Sequence, residues 1–267
     1  MKNAKDDKFY FEVINHFESN LNFNINQINS LDSKEKWETR PEYQNLEEIL
    51  VSLKFSTFSI RTLILIASYS KGENKEELRK QFSECIVVME KVWNKKTTKV
   101  YHGKKQEELD QYRLEPYLNI LQIISLGVLL DVPDDEFKTL VNLIDRDNIK
   151  DYLLEFLISY RIERKQINSE SYSRYLLIPK LFSPLVEITK TIDKIDAEAK
   201  IKKYLEKDWI KIPKNHFLNF KLSDIKEYDV NSGFVGLWAF EVAAIVKIKK
   251  LSDEAFINNM FYPDKLI

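Results

Sequence analysis

A few residues in this chain of 267 have types and spacings that could do chemistry. Ser68 and Lys71 form an SxxK pair, the spacing at which a lysine can deprotonate a nucleophilic serine. The pair ends an apolar run just before Gly72, and the companion motifs of such acylases are missing. Pro133 to Lys138, PDDEFK, holds the letters of a nuclease pattern whose carboxylates bind a divalent metal. Here the acids are consecutive, and consecutive helical residues point about 100° apart, so they cannot converge on one ion. Asp134, Asp135 and Glu136 are expected instead in the first turn of a helix, where the dipole favours them. His16, His102 and His216 lie far apart with no ligand-type spacing, so a metal site has no support. Cys85 shares a helix face with Val88 and Val92 and reads as packing. With no glycine-rich phosphate loop either, no catalytic residue, cofactor or metal is expected.

Glu241 is different. It sits in GLWAFEVAAIVKIKKL, among aromatic and small residues, where an ionised carboxylate is costly unless paired. Counting a helix from Gly236 places Leu237, Glu241, Ala244, Ile245 and Ile248 on one apolar stripe. A buried carboxylate there requires a hydrogen-bonded or charged partner, expected to be an arginine or tyrosine from a neighbouring helix.

The elements that would position these residues read as helices. Hydrophobic residues make up 44% of the chain, enough for a sizeable core, while 5 glycines and 7 prolines leave little turn chemistry for an all-β protein. Apolar spacing of three and four predicts helices over Phe9 to Ile28 and Tyr43 to Lys71. Gly72 stops the second, and Asn74 with Glu77 starts another that runs to Trp93. Thr97 to Lys105 is polar, contains Gly103 and reads as a linker.

Beyond it come LEPYLNILQIISLGVLLDV, a short helix DDEFKTLVNLI, and IKDYLLEFLISYRI capped by Asp147 or Asn148. Pro179 and Pro184 interrupt or kink SRYLLIPKLFSPLVEI. IDAEAKIKKYLEKDW should turn Ile195, Ala199, Ile201, Tyr204 and Leu205 inward, and EAFINNMF should be a short helix after a Ser252 or Asp253 cap. The expected fold is all-α: a multi-helix bundle of stacked antiparallel helical hairpins in two lobes, 1–98 and 106–267.

Net charge is −1, which argues against a general nucleic-acid binder. Residues 100–160, however, carry 6 basic and 12 acidic side chains. This band could face a basic partner or be only a solvated helical face. The charged N-terminus lacks the apolar core of a signal peptide, and the run LILIASY is far shorter than the roughly 20 residues of a membrane span. A cytoplasmic protein without membrane contact is expected.

The C-terminal third, FVGLWAFEVAAIVKIKKLSDEAFINNMFYPDKL, resembles the signature of the PoNi family, immunity proteins that neutralise nuclease toxins of the PoNe type in bacterial competition. Gly236, Trp238, Phe240, Glu241, Ala243, Ala244, Tyr262, Pro263 and Leu266 align with its G-aromatic-W-x-F-E-x-A-A helix and closing YP-x-D-L. Leu237 replaces an aromatic, and Asp264 comes one position early with Lys265 in its usual place. YLNILQIISLGVLLDV, YLEKDWIKIPKNHF and FSIRTLILIASYSKGENKEELRKQF resemble further family segments.

The resemblance implies an all-α fold, no enzymatic activity, and stoichiometric binding of a cognate nuclease toxin. It makes Gly236, Trp238, Phe240, Glu241, Tyr262 and Pro263 structural. The acidic band, Asp131, Asp134, Asp135, Glu136, Asp145 and Asp147, is then the expected contact with a toxin that must present basic groups to hold phosphates. The competing expectation is a helical-repeat adaptor that binds another partner through a concave surface.

Overall fold

A computed structural model describes residues 5–32, 46–163, 177–209, 211 and 222–267. The chain is mostly helical and falls into two compact units. One comprises Lys5–Thr98 with Tyr228–Gly236, and the other Lys99–Glu227 with Leu237–Ile267.

In the first unit, α1 (Asp7–Asp32), α2 (Leu46–Lys71) and α3 (Lys75–Val92) precede a single turn, α4 (Lys95–Thr98). Tyr10, Val13, Phe17 and Leu21, spaced by three and four, are the buried face of α1. α2 packs on both α1 and α3. Gly72 ends it with φ +95°, a conformation costly for any side chain. The Asn74 carboxamide then accepts the Glu77 N–H at 3.0 Å and starts α3. Arg61, midway along α2, pairs with Glu18 of α1 at 3.2 Å and Glu84 of α3 at 2.9 Å. By length and composition alone α2 could cross a membrane, which the shorter run LILIASY did not suggest. In this fold it is a packed helix with an ion-paired arginine at its middle.

The second unit departs from the expected linker at Thr97 to Lys105. Lys99–His102 and Glu107–Tyr112 form an antiparallel hairpin, β1 and β2. Gly103 (φ +68°) and Gln106 (φ +51°) provide its left-handed turn positions. Strands this short, with one buried aliphatic residue, Leu109, show no visible period of two.

After the hairpin, α5 (Leu114–Leu130) is buried almost throughout, and α10 (Phe240–Lys249) packs against it. Around them lie α6 (Asp134–Arg146), α7 (Tyr152–Ser159), α8 (Leu177–Lys190) and α9 (Lys194–Lys207). α8 carries Pro184 within it rather than breaking there. The cap of α7 is Asp151, which accepts the Leu154 N–H at 2.8 Å, and neither Asp147 nor Asn148. α9 buries Ala197, Ile201, Tyr204 and Leu205, leaving Ile195 and Ala199 exposed. Asp193 caps that helix by accepting the Asp196 N–H, which fixes where it starts. EAFINNMF forms turns closed on the Asp253 carbonyl.

Candidate functional site

The acidic residues are placed by α6 and its flanks. Asp134, Asp135 and Glu136 occupy the first turn of α6 after Pro133, as dipole complementarity requires. Asp134 pairs with Arg161, whose guanidinium lies 4.8 Å above the Phe137 ring. Asp131 ends α5 in the left-handed conformation (φ +50°) and pairs with Lys247 at 2.5 Å. Asp145 is exposed near the other end of α6, about 15 Å along the axis from the first turn at 1.5 Å per residue. The exposed band is therefore a cluster at the α5–α6 junction together with the single Asp145 near the far end of α6.

Asp147 does not belong to that surface. Its side chain is fully buried, accepting the Tyr112 hydroxyl at 3.0 Å and the Arg146 Nε–H at 3.1 Å. Its backbone carbonyl accepts the Lys99 ammonium, which also pairs with Glu108 at 2.9 Å and is itself 1% exposed. Asp110 adds bonds to Asn148 and Lys150. The hairpin is thus tied to the α6–α7 turn by a polar network that is buried at Lys99, Tyr112 and Asp147 and half-buried at Asp110. Charge counting placed Asp147 with its neighbours because it cannot tell an exposed carboxylate from one turned inward.

Glu241 is 5% exposed and accepts the indole N–H of Trp209 at 2.7 Å. The partner is an indole where an arginine or tyrosine was expected. Tyr204, one α9 turn earlier, is also buried, and its phenol is pushed well above its ordinary pKa, chiefly by burial and then by the Glu241 charge. Burial raises the Glu241 carboxyl to about 7, against the opposing pull of its own backbone N–H and the Trp209 indole. The helix begins at Phe240, because Gly236 has φ +102° and residues before Phe240 are not helical. Glu241 accordingly sits in the first turn of a helix buried on every side from Phe240 to Val246, not on a one-sided stripe.

The other signature residues surround this turn. Trp238, Phe240, Tyr262 and Pro263 are buried. The Ala239 N–H donates to the Phe261 carbonyl at 2.8 Å, and the Phe261 ring lies 4.8 Å from Trp209. Gly236 provides a backbone turn that a Cβ would strain.

Lysines hold the far end of the same core. Lys247 donates to the Val128 and Leu129 carbonyls of α5, and Lys249 to the Thr189 and Thr191 carbonyls at the end of α8. Lys194 of α9 donates to the Lys250 carbonyl at the end of α10. These ammoniums satisfy helix-terminal carbonyls that lack intrahelical partners. Burial lowers the Lys249 pKa. Lys247→Met should lower stability by about 1–2 kcal/mol, because it strands two carbonyls and Asp131. Thermal unfolding beside Lys250→Met, at an exposed position, checks this, and equal effects would refute it.

The remaining reactive side chains are structural in setting. Cys85 is fully buried, and desolvation pushes its thiol up to about 12, which suppresses the thiolate. Lys71 pairs with Glu73 at 2.6 Å, and Ser68 is buried. His16 bonds Asn20 within α1, His102 is exposed at the end of β1, and His216 lies outside the described residues. Among the described residues no three His, Cys, Asp or Glu side chains are grouped as a metal site would need.

Asp151, Lys99 and Trp209 were not singled out from the sequence. A cap residue followed by an apolar run was the one available sign for Asp151. Nothing local marks the other two: Lys99 bonds the Asp147 carbonyl 48 residues away as well as Glu108 across the hairpin, and Trp209 bonds Glu241 32 residues away.

Similarities to known proteins bear on the whole chain. No curated protein matches it. Among solved structures, it is similar to protein PA2201 from Pseudomonas aeruginosa, with 14% identity and a TM-score of 0.58 over 94% of this chain and 86% of that one. At that identity the likeness concerns the fold alone. The family model for the N-terminal part of PoNe immunity proteins matches residues 4–142, and the model for their C-terminal part matches residues 149–266. With nearly the whole sequence matched in two consecutive parts, the chain belongs to the PoNi family of PoNe immunity proteins.

Proposed function

We propose that this chain is an immunity protein that binds a cognate PoNe-type nuclease toxin and neutralises it stoichiometrically, by protein–protein inhibition in the cytoplasm. The observation that carries the reading is the pair of family matches over residues 4–142 and 149–266. The buried state of Cys85 and Ser68 is in keeping with action by binding rather than catalysis. Neither nucleic acid nor membrane is a partner in this reading. Residues 1–98 serve as its N-terminal helical domain, with 228–236 packed into that unit, and the remainder of 106–267, with the hairpin strand that begins at Lys99, serves as its C-terminal signature domain.

The exposed acids at the two ends of α6, with Asp131, are the proposed toxin contact, and Asp147 is excluded by its burial. A nuclease holds phosphates with basic groups, so carboxylates can occupy that surface and steer encounter. Asp135→Lys with Asp145→Lys should slow association by roughly tenfold at low salt and flatten its salt dependence. Association rates across a salt series test this, and an unchanged series removes the contact.

The function itself is tested by co-expression with the toxin encoded in the neighbouring open reading frame. Protection of a sensitive cell together with copurification is expected. Protection without physical binding would overturn stoichiometric inhibition.

A further inference from the structure

The first unit is built from two stretches far apart in the chain. Lys5–Thr98 supplies its helices, and Tyr228–Gly236 returns to it from a chain otherwise committed to the second unit. The return is short, yet it puts two apolar side chains into the core: Phe234 is 1% exposed and Val235 is 6% exposed. Its local conformation is set by its own residues. Asp229 caps one short 3₁₀ turn, Val230–Ser232, by accepting the Ser232 N–H at 2.9 Å, and Gly233 ends that turn. Phe234 then stacks on Tyr228 with ring centroids 5.7 Å apart.

Helices α1 and α2 receive it. The 3₁₀ turn packs on α1, where the Phe17 ring lies within van der Waals reach of Gly233. The Ser70 hydroxyl of α2 donates to the Val235 carbonyl at 2.5 Å, and the Tyr10 hydroxyl of α1 bonds Ser70 in turn. A carbonyl of the return therefore ends a hydrogen-bond chain that passes through both helices. Withdrawing it removes the acceptor of a buried hydroxyl as well as two buried apolar side chains.

Both ends of the return belong to the second unit. Ile225, just before it, is buried, and beyond Gly236 the Ala239 N–H donates to the Phe261 carbonyl at 2.8 Å. While the second unit is folded, the return is a short loop fixed at each end. Once that unit unfolds, the same residues must close a loop over residues 99–227 to reach α1 and α2, and closure entropy grows with loop length.

We propose that Tyr228–Gly236 is a strap by which the second unit keeps the first one folded, so that the N-terminal helices hold their structure only while the second unit does. The dependence runs one way. Opening the strap takes Phe234 and Val235 out of the first core, whereas the core of the second unit contains neither residue.

The test is amide hydrogen exchange of the full-length chain, read by mass spectrometry on peptides from α1, α2 and α5. Ile124→Asp/Leu129→Asp puts two unpaired carboxylates at fully buried positions of α5, which opens the second unit and leaves every residue of the first unchanged. Exchange in α1 and α2 should accelerate about tenfold or more, together with that of α5. Wild-type exchange in α1 and α2 beside an unprotected α5 overturns the strap. Phe234→Ala tests the route: it should accelerate α1 and α2 by about tenfold or more while α5 keeps its wild-type rate. Ser70→Ala is the milder variant and should move α1 and α2 in the same direction. Wild-type exchange in α1 and α2 for both of these variants, or acceleration of α5 along with them, overturns the proposal.

Discussion

Glu241→Gln should make the protein more stable at pH 8 than the wild type and flatten its stability between pH 5 and 7. Burial raises the Glu241 pKa from 4.5 to about 7, so in that interval the folded state keeps a proton that the unfolded chain releases. Stability then falls as pH rises, and the full cost of the buried charge is present above about 7. A rise of this size corresponds to about 3 kcal/mol. Glutamine removes the charge, while its carboxamide oxygen still accepts from the Trp209 indole.

Alanine at the same position behaves differently. It leaves the indole N–H without its acceptor and opens space beside Trp209, so Glu241→Ala should lose about 2–4 kcal/mol relative to glutamine. Asp151, raised by burial from 3.8 to about 6, adds a separate decline at lower pH, so the Glu241 contribution is read most clearly between pH 6 and 7. Unfolding of wild type, Gln and Ala variants from pH 5 to 8 is the measurement. A Gln variant that keeps the wild-type slope would mean Glu241 ionises without cost.

The second large effect belongs to Asp147. Asp147→Ala should destabilise the protein by about 2–4 kcal/mol, because it strands the buried Tyr112 hydroxyl and loosens the turn whose carbonyl holds Lys99. Toxin affinity per folded molecule should be unchanged. Asp135→Lys should show the converse, altered association with a loss of only about 0.5–1 kcal/mol from the reversed charge at the start of α6. Thermal unfolding paired with binding rates separates the two, and a stable Asp147→Ala chain with weakened binding would return Asp147 to the contact surface.

How far the candidate site was legible in the sequence varies by residue. Asp134 to Glu136 were placed correctly in the first turn of α6 because dipole complementarity is a local rule. Asp147 was not, since its orientation depends on Tyr112 and Lys99, 35 and 48 residues away. Glu241 was recognised as needing a partner, but the helix start moved to Phe240 because Gly236 adopts φ +102°, and the partner proved to be Trp209. Ile195 shows the same limit: period counting gives a face, while packing against the core selects which face is buried, here Ala197, Ile201, Tyr204 and Leu205.

The sequence by itself determined the helical class, most helix boundaries, the Asn74 cap and the family signature. These follow from interactions spanning about four residues, where spacing and propensity act directly. Only the tertiary structure decided which carboxylates are buried, which lysines close helix ends, that 99–112 forms a hairpin, and that Ile192 and Ile195 face outward. Desolvation and long-range hydrogen bonding depend on what folds against a residue, and that is not written in its neighbours.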